Sequence, residues 1–569
     1  MRLVGLASLL LLALTARHSE ARAEPPPSWS VHLLQRFRQE SIPEALTRSM
    51  LRGPDIPLAP SDHFAAYEAH LLGQIERRLT EAVFVDLSLD SGLLSASSRG
   101  LTLDGRPADE AIGETLLLGE TFVEGQIGET GWLAIQAGKL RPNLGDGALF
   151  NAYAFGFLVD LDLTLLDAPD RLPLSFRVQA YMPDGTISKR LKESPVIEAE
   201  ATLHLGRRTH VRLLGALFFD TQDVLAHLLG EAFGRGRLEA FGNQAATIAA
   251  NFESEYGSVF ANEVDAILLD YLGTATEAFN AGEIGFDIRS RGFLAWTGVS
   301  LAWQARPDLS LRLTALASLG TSDLRVSPDE AHRAFILDAS NRRLLPAVTA
   351  AIQRRRPDLS AGAVDRLARA ATDRLSHAIE AETLADAEGS HQLALSAYFA
   401  QGELEYRLTD AIAISLFGVL ASGDRAQIQG ATRADQGPPS YHGFVSLSPF
   451  LPYTSIFFNG GVATNSASST VVSVAPDGAG LAAVGLRTDA QFGDLLFAAL
   501  TLARMHALAP LDVGRTHYGT EADIALTFTP IASITPEIQG AFFFPGGYFG
   551  DVDLGVGYQL IVGATATLP

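Results

Sequence analysis

The chain has 569 residues, a formal net charge of −22 at pH 7 and no cysteine. The lack of cysteine excludes a disulfide framework, a cysteine-linked lipid anchor and any cysteine-ligated metal site. So acidic a chain is also a poor general binder of nucleic acid, because it repels the phosphate backbone. Hydrophobic residues make up 47% of the sequence, yet no later segment has the roughly 18–20 uninterrupted apolar residues of a membrane-spanning helix.

The N-terminus predicts a secretory signal peptide over residues 1–23. A short apolar run is followed by an A-x-A cleavage pattern that ends at Ala23, and the run is too short to span a bilayer as a helix. Residues 24–80 then show two helical patterns, over 29–50 and 61–81, separated by a proline-rich stretch. Together they predict a periplasmic helical extension.

Residues 81–569 alternate apolar with polar or small residues in many short segments. The period of two is clear over 517–529, where apolar side chains alternate with acidic and hydroxylated ones. Because successive side chains on a strand point to opposite faces, each segment has one apolar and one polar face. A soluble sandwich buries the apolar face, whereas a transmembrane barrel turns it to lipid and turns the polar face to a wet lumen.

Eighteen candidate strands can be counted, and tight turns alternate with long loops between them. An even strand number and this asymmetry of connections are typical of bacterial outer-membrane barrels. We therefore predict an all-β fold, an antiparallel transmembrane barrel of about 18 strands, with a secreted all-β protein as the alternative. The candidate strands are 93–104, 114–126, 131–140, 151–166, 172–182, 196–206, 209–219, 292–305, 308–319, 392–407, 411–421, 441–449, 453–463, 481–491, 494–506, 517–529, 533–543 and 552–566.

Two of the outer loops, at about 220–291 and 320–391, are long and lack strand alternation. A structureless loop of that length would argue against the strand assignment, but helical patterns within both segments remove the objection. We predict helical insertions on the outer side of the barrel. They would either cap or fill the pore or decorate the surface.

Charged residues in the polar phase of the strands are the candidate pore lining. A charge facing lipid near the bilayer midplane costs about 2–4 kcal/mol, so the lumen is the cheaper location. Charged rings set the selectivity of a pore, although the same residues would also serve by pairing across neighbouring strands to hold the barrel's shape. The predicted pore-lining residues are Lys139, Arg141, Arg177, Arg212, Arg312, Arg407, Arg487, Glu403, Glu405, Asp489, Glu521, Asp523 and Glu537.

The loop over 140–150 is the candidate for the narrowest point of the pore. Asp146 lies between two glycines, and Lys139 and Arg141 lie at the root of the loop. Glycines permit positive φ and close packing. We therefore expect this loop to tuck into the lumen.

No enzyme motif is present: the sequence lacks G-x-S-x-G, H-E-x-x-H and a P-loop. His204 and His210 flank one turn, and His506 and His517 flank one loop, but polar pairs at a barrel rim are ordinarily solvated. We predict no catalytic site, cofactor or metal. A barrel-embedded hydrolase remains a third alternative, because a strand-borne triad has no recognisable spacing.

Two stretches resemble the alginate-export family of outer-membrane porins. The first is Ala137-Gly138-Lys139 followed by 144–150, which is similar to the family's Gly-Arg-Gln strand end and Gly-Asp-Gly turn, with Lys139-Leu140 in place of Arg-Gln. The second joins 518–524 to 543–549, similar to a closing Gly-x-Glu-x-Asp strand and aromatic-Pro-Gly loop. The resemblance implies an eighteen-stranded barrel and a porin role.

We therefore expect a channel in the outer membrane of a Gram-negative bacterium that passes or exports a polar solute. The resemblance suggests a saccharide or an exopolysaccharide. The expected partners are the lipid bilayer, the barrel-assembly machinery and the solute, and no nucleic acid. The alternative is a barrel-anchored surface protein whose helical loops bind a partner. Acids in the C-terminal strands are at least as numerous as arginines, unlike the positive lumen that suits a polyanion.

Overall fold

The computed structural model describes the larger part of the chain, and the predicted signal peptide lies outside the described residues. These residues are 28–41, 64–80, 83–90, 94–97, 100–103, 106–107, 118–127, 130–151, 154–166, 172–183, 194–221, 223–225, 270, 273–275, 278, 286–328, 330–331, 334, 342, 344–384, 390–424, 440–447, 451–458, 474–475, 478–510, 514–529, 533–549 and 555–568.

One antiparallel sheet closes on itself. Of its 22 strands, four are short side strands at Leu94–Ser97, Gly100–Leu103, Arg106–Pro107 and Ser440–Tyr441. The other eighteen form a ring in chain order, and the last pairs with the first, from Val31 opposite Leu568 to Ser41 opposite Tyr558. The ring strands are β1 (Ser28–Ser41), β2 (Phe64–Thr80), β3 (Val83–Asp90), β4 (Leu118–Ile127), β5 (Leu133–Leu140), β6 (Ala154–Asp162), β7 (Leu174–Pro183), β8 (Val196–His204), β9 (Thr209–Asp220), β10 (Phe286–Arg306), β11 (Leu309–Pro328), β12 (Ser390–Thr409), β13 (Ile412–Ala421), β14 (Leu481–Phe492), β15 (Leu496–His506), β16 (His517–Phe528), β17 (Ile534–Pro545) and β18 (Gly557–Leu568).

The predicted number of strands is right, but three of the eighteen predicted strands are not strands of the ring. The segment 93–104 forms only short side strands, and 441–449 and 453–463 belong to one long connection between β13 and β14. Their places in the ring are taken by β1, β2 and β3. Short apolar runs fit a buried loop as well as a strand, because alternation reports burial of one face and not backbone pairing.

The predicted helical extension over 24–80 is also wrong where the structure describes it, and 24–27 and 42–63 lie outside the described residues. The residues from Ser28 to Ser41 and from Phe64 to Thr80 are strands that pair with each other in register, as with Val31 opposite Gly73. Local helical propensity is a weak prior that tertiary pairing overrides. Here β1 supplies the partner that β18 needs, so these residues complete the wall.

The outward face of the ring is apolar and the inward face is not uniform. On β9, Leu213, Leu217 and Phe219 are exposed and point outward, whereas Leu214 and Phe218 are buried inside. A closed ring satisfies its own backbone hydrogen bonds and shows mainly apolar side chains to its surroundings, so the fold is a transmembrane β-barrel. Among the residues that the structure describes, no helix is both long and apolar enough to span a membrane.

Short turns lie at one end of the barrel and long connections at the other. The turn between β10 and β11 occupies 307–308, whereas 221–285 and 329–389 connect the strands at the opposite end. The second long insertion contains two packed helices, α1 (Leu345–Arg355) and α2 (Ala361–Leu384), and the described ends of the first are helical. The helical insertions are confirmed in these parts. The three strands that flank the second, β10, β11 and β12, have 21, 20 and 20 residues.

The lumen has two chemically different halves. Toward the long connections most inward side chains are apolar and pack into one buried cluster, which includes Phe218, Phe399 and Phe417. Toward the short turns the same strands turn polar, with Gln401, Glu403 and Arg407 on β12 in the register of the lumen face. The inward loops occupy the apolar half, and the charged half is the candidate solute surface.

Deletion of residues 28–80 tests whether β1 and β2 belong to the wall. The truncated chain loses the pairing of β1 with β18, so it is expected to lose the heat-dependent electrophoretic shift and the protease resistance of a folded barrel. Deletion of 345–384, which removes only α1 and α2, is the control and is expected to keep both properties. A folded barrel without residues 28–80 would contradict the ring described above.

Candidate functional site: a lumen crossed by two inward loops

The connection between β5 and β6 folds into the barrel as a small hairpin, here called loop A (141–151). Phe150 pairs with Leu144, and the turn between them has three successive residues with positive φ, Gly145, Asp146 and Gly147 at 59°, 55° and 85°. Glycine adopts this conformation freely, and aspartate is among the few other residues that tolerate it. The Gly-Asp-Gly sequence therefore shapes a turn that presents the Asp146 carboxylate at its tip. The predicted inward tuck of this loop is what the structure shows.

Asp146 fastens loop A to a row of polar residues on four neighbouring strands. Its carboxylate accepts hydrogen bonds from Arg212, from Ser300 Oγ at 2.7 Å and from Thr314 Oγ1. Its backbone carbonyl accepts one from Gln401 Nε2 at 3.3 Å. The strand register places these four partners directly opposite one another in sequence across β9, β10, β11 and β12. A single carboxylate thus ties the loop to a quarter of the wall.

The charge state of Asp146 is set by these contacts. Burial alone raises the pKa of this carboxyl, but the hydrogen bond and charge of Arg212, with the hydroxyls of Thr314 and Ser300, lower its pKa below the ordinary value. Hydrogen bonds to the charged form favour that form. Asp146 is therefore ionised, and loop A is fastened, at neutral pH.

The long connection between β13 and β14 contributes a second inward segment, loop B (the described residues 440–447 and 451–458). Glu521 and Asp523, on β16, are 0% and 2% exposed and lie beneath it. Their carboxyl oxygens accept hydrogen bonds from successive groups of the loop, which supply the polar partners that buried carboxyl groups require. The donors are Thr454 Oγ1 (2.8 Å), Ile456 N (2.6 Å) and Phe457 N (2.8 Å) to Glu521, and Ser455 N (3.0 Å) to Asp523.

The two inward loops meet inside the barrel. The backbone N–H of Leu447 in loop B donates to the carbonyl of Leu149 in loop A at 3.0 Å. Trp296, on the wall strand β10, donates its indole N–H to the carbonyl of Val445 at 3.1 Å. The loops therefore bridge the lumen from opposite walls and narrow it at the level where apolar and charged halves join.

Most arginines of the charged half are paired with acids. Arg177 lies 2.6 Å from Asp160, and Arg212 lies 3.5 Å from Glu200 in addition to its bond with Asp146. Two further pairs lie within single strands, Arg407 with Glu405 at 2.9 Å and Arg487 with Asp489 at 2.9 Å. These pairs agree with the structural role considered for such charges, and they leave little net positive charge on the wall.

Arg312 is different. Among the described residues no carboxylate lies within 4.0 Å of its guanidinium, although the register places it directly opposite Glu403. Tyr453 of loop B stacks on Phe417 with ring centroids 4.6 Å apart and donates its hydroxyl to Gln401 at 3.2 Å. Burial, with the charges of Glu403 and Asp146, raises the pKa of the Tyr453 phenol, so it stays a neutral donor.

The structure corrects the predicted positions of three pore-lining residues. Glu521 and Asp523 are covered by loop B, because their carboxyl groups accept hydrogen bonds from the backbone N–H groups of that loop. Lys139 is 5% exposed, and its ammonium lies 5.7 Å from the centroid of the Phe155 ring, so it presents no charge to an open passage. The residues that lie on inward strand positions are Arg177, Arg212, Arg312, Arg407, Arg487, Glu403, Glu405, Asp489 and Glu537, and Arg141 bonds Asn151 at the root of loop A.

Several residues of the site were missed by the sequence analysis. Glu198 and Glu200 lie on inward positions of β8 and are buried. Gln179 donates to Glu198 and accepts from Tyr181 at 2.5 Å. The signal was present, since Glu198 and Glu200 alternate with outward apolar residues. Ser300 and Thr314 gave no signal, because a small hydroxyl fits either face of a strand. The described residues contain no group of three metal-ligating side chains.

No family model and no curated protein sequence matches the chain. Solved structures that it is similar to include OccK5 (OpdH) of Pseudomonas aeruginosa, with 10% identity, a TM-score of 0.42, and 95% of this chain and 98% of that chain covered. A BenF-like porin from Pseudomonas fluorescens Pf-5 has 9% identity and a TM-score of 0.43, with 95% of this chain and 98% of that chain covered. Pseudomonas aeruginosa OprD has 11% identity and a TM-score of 0.41, with 96% of this chain and 97% of that chain covered. At these identities and TM-scores the likenesses carry no weight for the solute. The resemblance to alginate-export porins finds no support among these comparisons.

Replacing Asp146 with Asn is expected to loosen loop A. Loss of the charge weakens the bonds of Arg212, Ser300 and Thr314 by about 1–3 kcal/mol in total, so single-channel conductance is expected to rise and become noisier. Because the pKa of Asp146 is lowered, wild type keeps its advantage at and above about pH 4 and loses it as the pH falls further.

The matched control is Asp494→Asn, which changes an exposed aspartate in a short turn and is expected to leave conductance unchanged. Equal conductance of wild type and Asp146→Asn at pH 7 would show that the Asp146 bonds do not hold loop A.

Replacing Glu521 with Gln is expected to release loop B. An amide offers one acceptor oxygen instead of two and sets a donor against backbone N–H groups. Since the chain has no cysteine, the single variant Ser455→Cys reports the release: the buried thiol is expected to resist a water-soluble maleimide and to react once Glu521→Gln is added. Glu537→Gln is the control, and equal protection in both backgrounds would contradict the role of Glu521.

Proposed function

We propose that the protein is an outer-membrane channel that passes small polar solutes by diffusion. The observation that carries the proposal is a closed transmembrane ring whose lumen, toward the short turns, is lined by charged residues from many strands. β-Barrels with short turns at one end and long loops at the other are characteristic of the outer membrane of Gram-negative bacteria. The charged half of the lumen therefore opens to the periplasm, and the long connections face the outside of the cell.

The inward loops favour a small solute over a polymer. Loop A is tied to four strands through Asp146, and loop B is tied to β16 and joined to loop A. A polysaccharide chain would have to displace both loops and their buried bonds at once. The proposed solute is therefore small, and the export of an exopolysaccharide, which the family resemblance suggested, is not proposed.

The inward charges favour cations or neutral polar molecules. Arg177, Arg407 and Arg487 are each neutralised by a neighbouring acid, while Glu403 and Glu537 add further negative charge to the same half of the lumen. Charge on a pore wall sets which ions enter. The proposed channel is weakly cation-selective and carries out no chemistry.

Planar bilayers test the proposal. The purified barrel is expected to conduct, with a reversal potential in a KCl gradient that shows preference for K⁺. The double variant Glu403→Gln/Glu405→Gln is expected to lower that preference by about twofold, and Arg312→Gln to raise it, because the two changes shift the wall charge in opposite directions. In liposome swelling, small sugars are expected to enter and polymeric ones to be excluded.

The opposite result would favour the alternative function, a barrel that anchors helical loops for a partner. Absence of conductance in wild type and in variants that lack 345–384 would overturn the channel. Selectivity that does not respond to Glu403, Glu405 or Arg312 would place these residues away from the ion path.

A further inference from the structure

One group of cations lies on the outside of the barrel, away from the lumen. On β15 the buried residues Thr501, Ala503 and Met505 point inward, and Leu500, Leu502 and Arg504 alternate with them and are exposed. Arg504 is thus in the outward phase, where a charge at bilayer depth is costly and the cost falls only near the interface.

Arg504 lies near the end of β15 that carries a long connection, and two histidines lie beside it. The register pairs Arg504 with Thr520 of β16 and pairs His506 with His517. The two imidazole rings have centroids 4.9 Å apart, and Thr520 Oγ1 lies 3.5 Å from His517 Nε2. Arg504, both imidazoles and one hydroxyl therefore form a cluster on the outward face, here called the rim cluster.

The rim cluster has no anionic partner within the described protein. Among the described residues no carboxylate lies within 4.0 Å of Arg504, His506 or His517. The outward neighbours in register are Val484 on one side and Phe544 on the other, which lies opposite Thr520. A guanidinium beside apolar neighbours is stabilised by water or by an anion.

The surface next to the rim cluster is strongly apolar. Leu502 is 54% exposed, Val484 55% and Phe542 49%, all on the outward face of β14 to β17. An apolar band that ends in a cationic cluster matches a molecule with the complementary order, acyl chains followed by a negatively charged head. Guanidinium groups bind phosphate in a bidentate manner, and imidazole and hydroxyl groups add further hydrogen bonds.

We propose that the rim cluster of Arg504, His506, His517 and Thr520 binds the phosphate group of a lipid in the outer leaflet, with the lipid's acyl chains along Leu502 and its apolar neighbours. This inference rests on the proposed location of the barrel in the outer membrane, with the long connections outside. There the lipid with exposed phosphomonoesters is lipid A, so the site commits to that lipid class.

The test measures lipid binding to the full-length barrel in detergent by native mass spectrometry. The probes are bisphosphorylated lipid A and the same lipid after removal of its phosphates. Wild type is expected to bind the phosphorylated form about tenfold more tightly, as expected for one charged hydrogen-bonded contact. Arg504→Gln is expected to abolish the difference, and Arg504→Lys, which keeps the charge but not the bidentate geometry, to retain part of it.

The matched control is Arg207→Gln, which removes an exposed arginine from a short turn at the opposite rim and is expected to keep the full tenfold preference. A preference unchanged in Arg504→Gln would overturn the proposal. So would displacement of the lipid by millimolar inorganic phosphate, because the cluster would then be a site for a free anion. The heat-dependent electrophoretic shift verifies that each variant is folded.

Conductance of the same preparations separates this inference from the proposed function. Arg504 faces away from the lumen, so Arg504→Gln is expected to conduct like wild type. A wild-type barrel that conducts but shows no preference for the phosphorylated lipid would reject the rim site alone. A phosphate preference that depends on Arg504 in a barrel without conductance would reject the channel alone.

Discussion

Every backbone group of a wall in contact with lipid must find its hydrogen-bond partner within the wall, because hydrocarbon offers none. The eighteen strands meet this demand only because β1 pairs with β18 along eleven registered positions from Val31–Leu568 to Ser41–Tyr558. Without that pairing two edges would be open. Closure of an antiparallel ring therefore requires an even number of strands, makes turns and loops alternate between the two ends, and creates an inside that the loops can enter.

The inside is organised by carboxylates that hold backbone. Asp146 reaches out from loop A to the wall, and Glu521 reaches out from the wall to loop B. In both cases a carboxyl group that is costly to bury is supplied with several donors, and the donors gain acceptors they would otherwise lack. The two arrangements differ in where the acid lies: Asp146 lies on the loop and Glu521 lies on the strand. Both anchor a loop across a space that side chains alone would not fill.

The fold was largely predictable, since alternation and turn spacing depend on local sequence. Fifteen of the ring strands, such as 517–529 and 481–491, were located to within a few residues, except where β10 and β11 extend beyond the predicted ends. β1 and β2 were not predictable, because a segment such as 28–41 satisfies helical and extended patterns alike, and only its partners decide. The eighteen predicted strands agreed with the ring because three false strands replaced three missed ones.

The site was predictable only in part, for a different reason. Phase along a strand identified Arg177, Arg212 and Arg312 as inward residues, and the Gly-Asp-Gly turn identified the loop that enters the lumen. Phase does not tell which inward residues a loop will cover. Glu521 and Glu537 both point inward. Glu521 alone lies under loop B, where backbone N–H groups of the loop donate hydrogen bonds to its carboxyl group. Whether a loop covers an inward residue depends on contacts between distant parts of the chain, so it produces no periodic pattern in the sequence.

The three long strands have a structural consequence. A strand of 20 residues is about 66 Å long, and an apolar band about 25 Å tall, crossed at a tilt of about 40°, uses roughly half of it. The remainder of β10, β11 and β12 extends beyond this band on one side of the barrel mouth. The helices α1 and α2 lie in the connection between β11 and β12. Ser300, Thr314 and Gln401, which hold loop A, lie on these same three strands. The strands that flank the two helices are therefore three of the four strands that hold loop A.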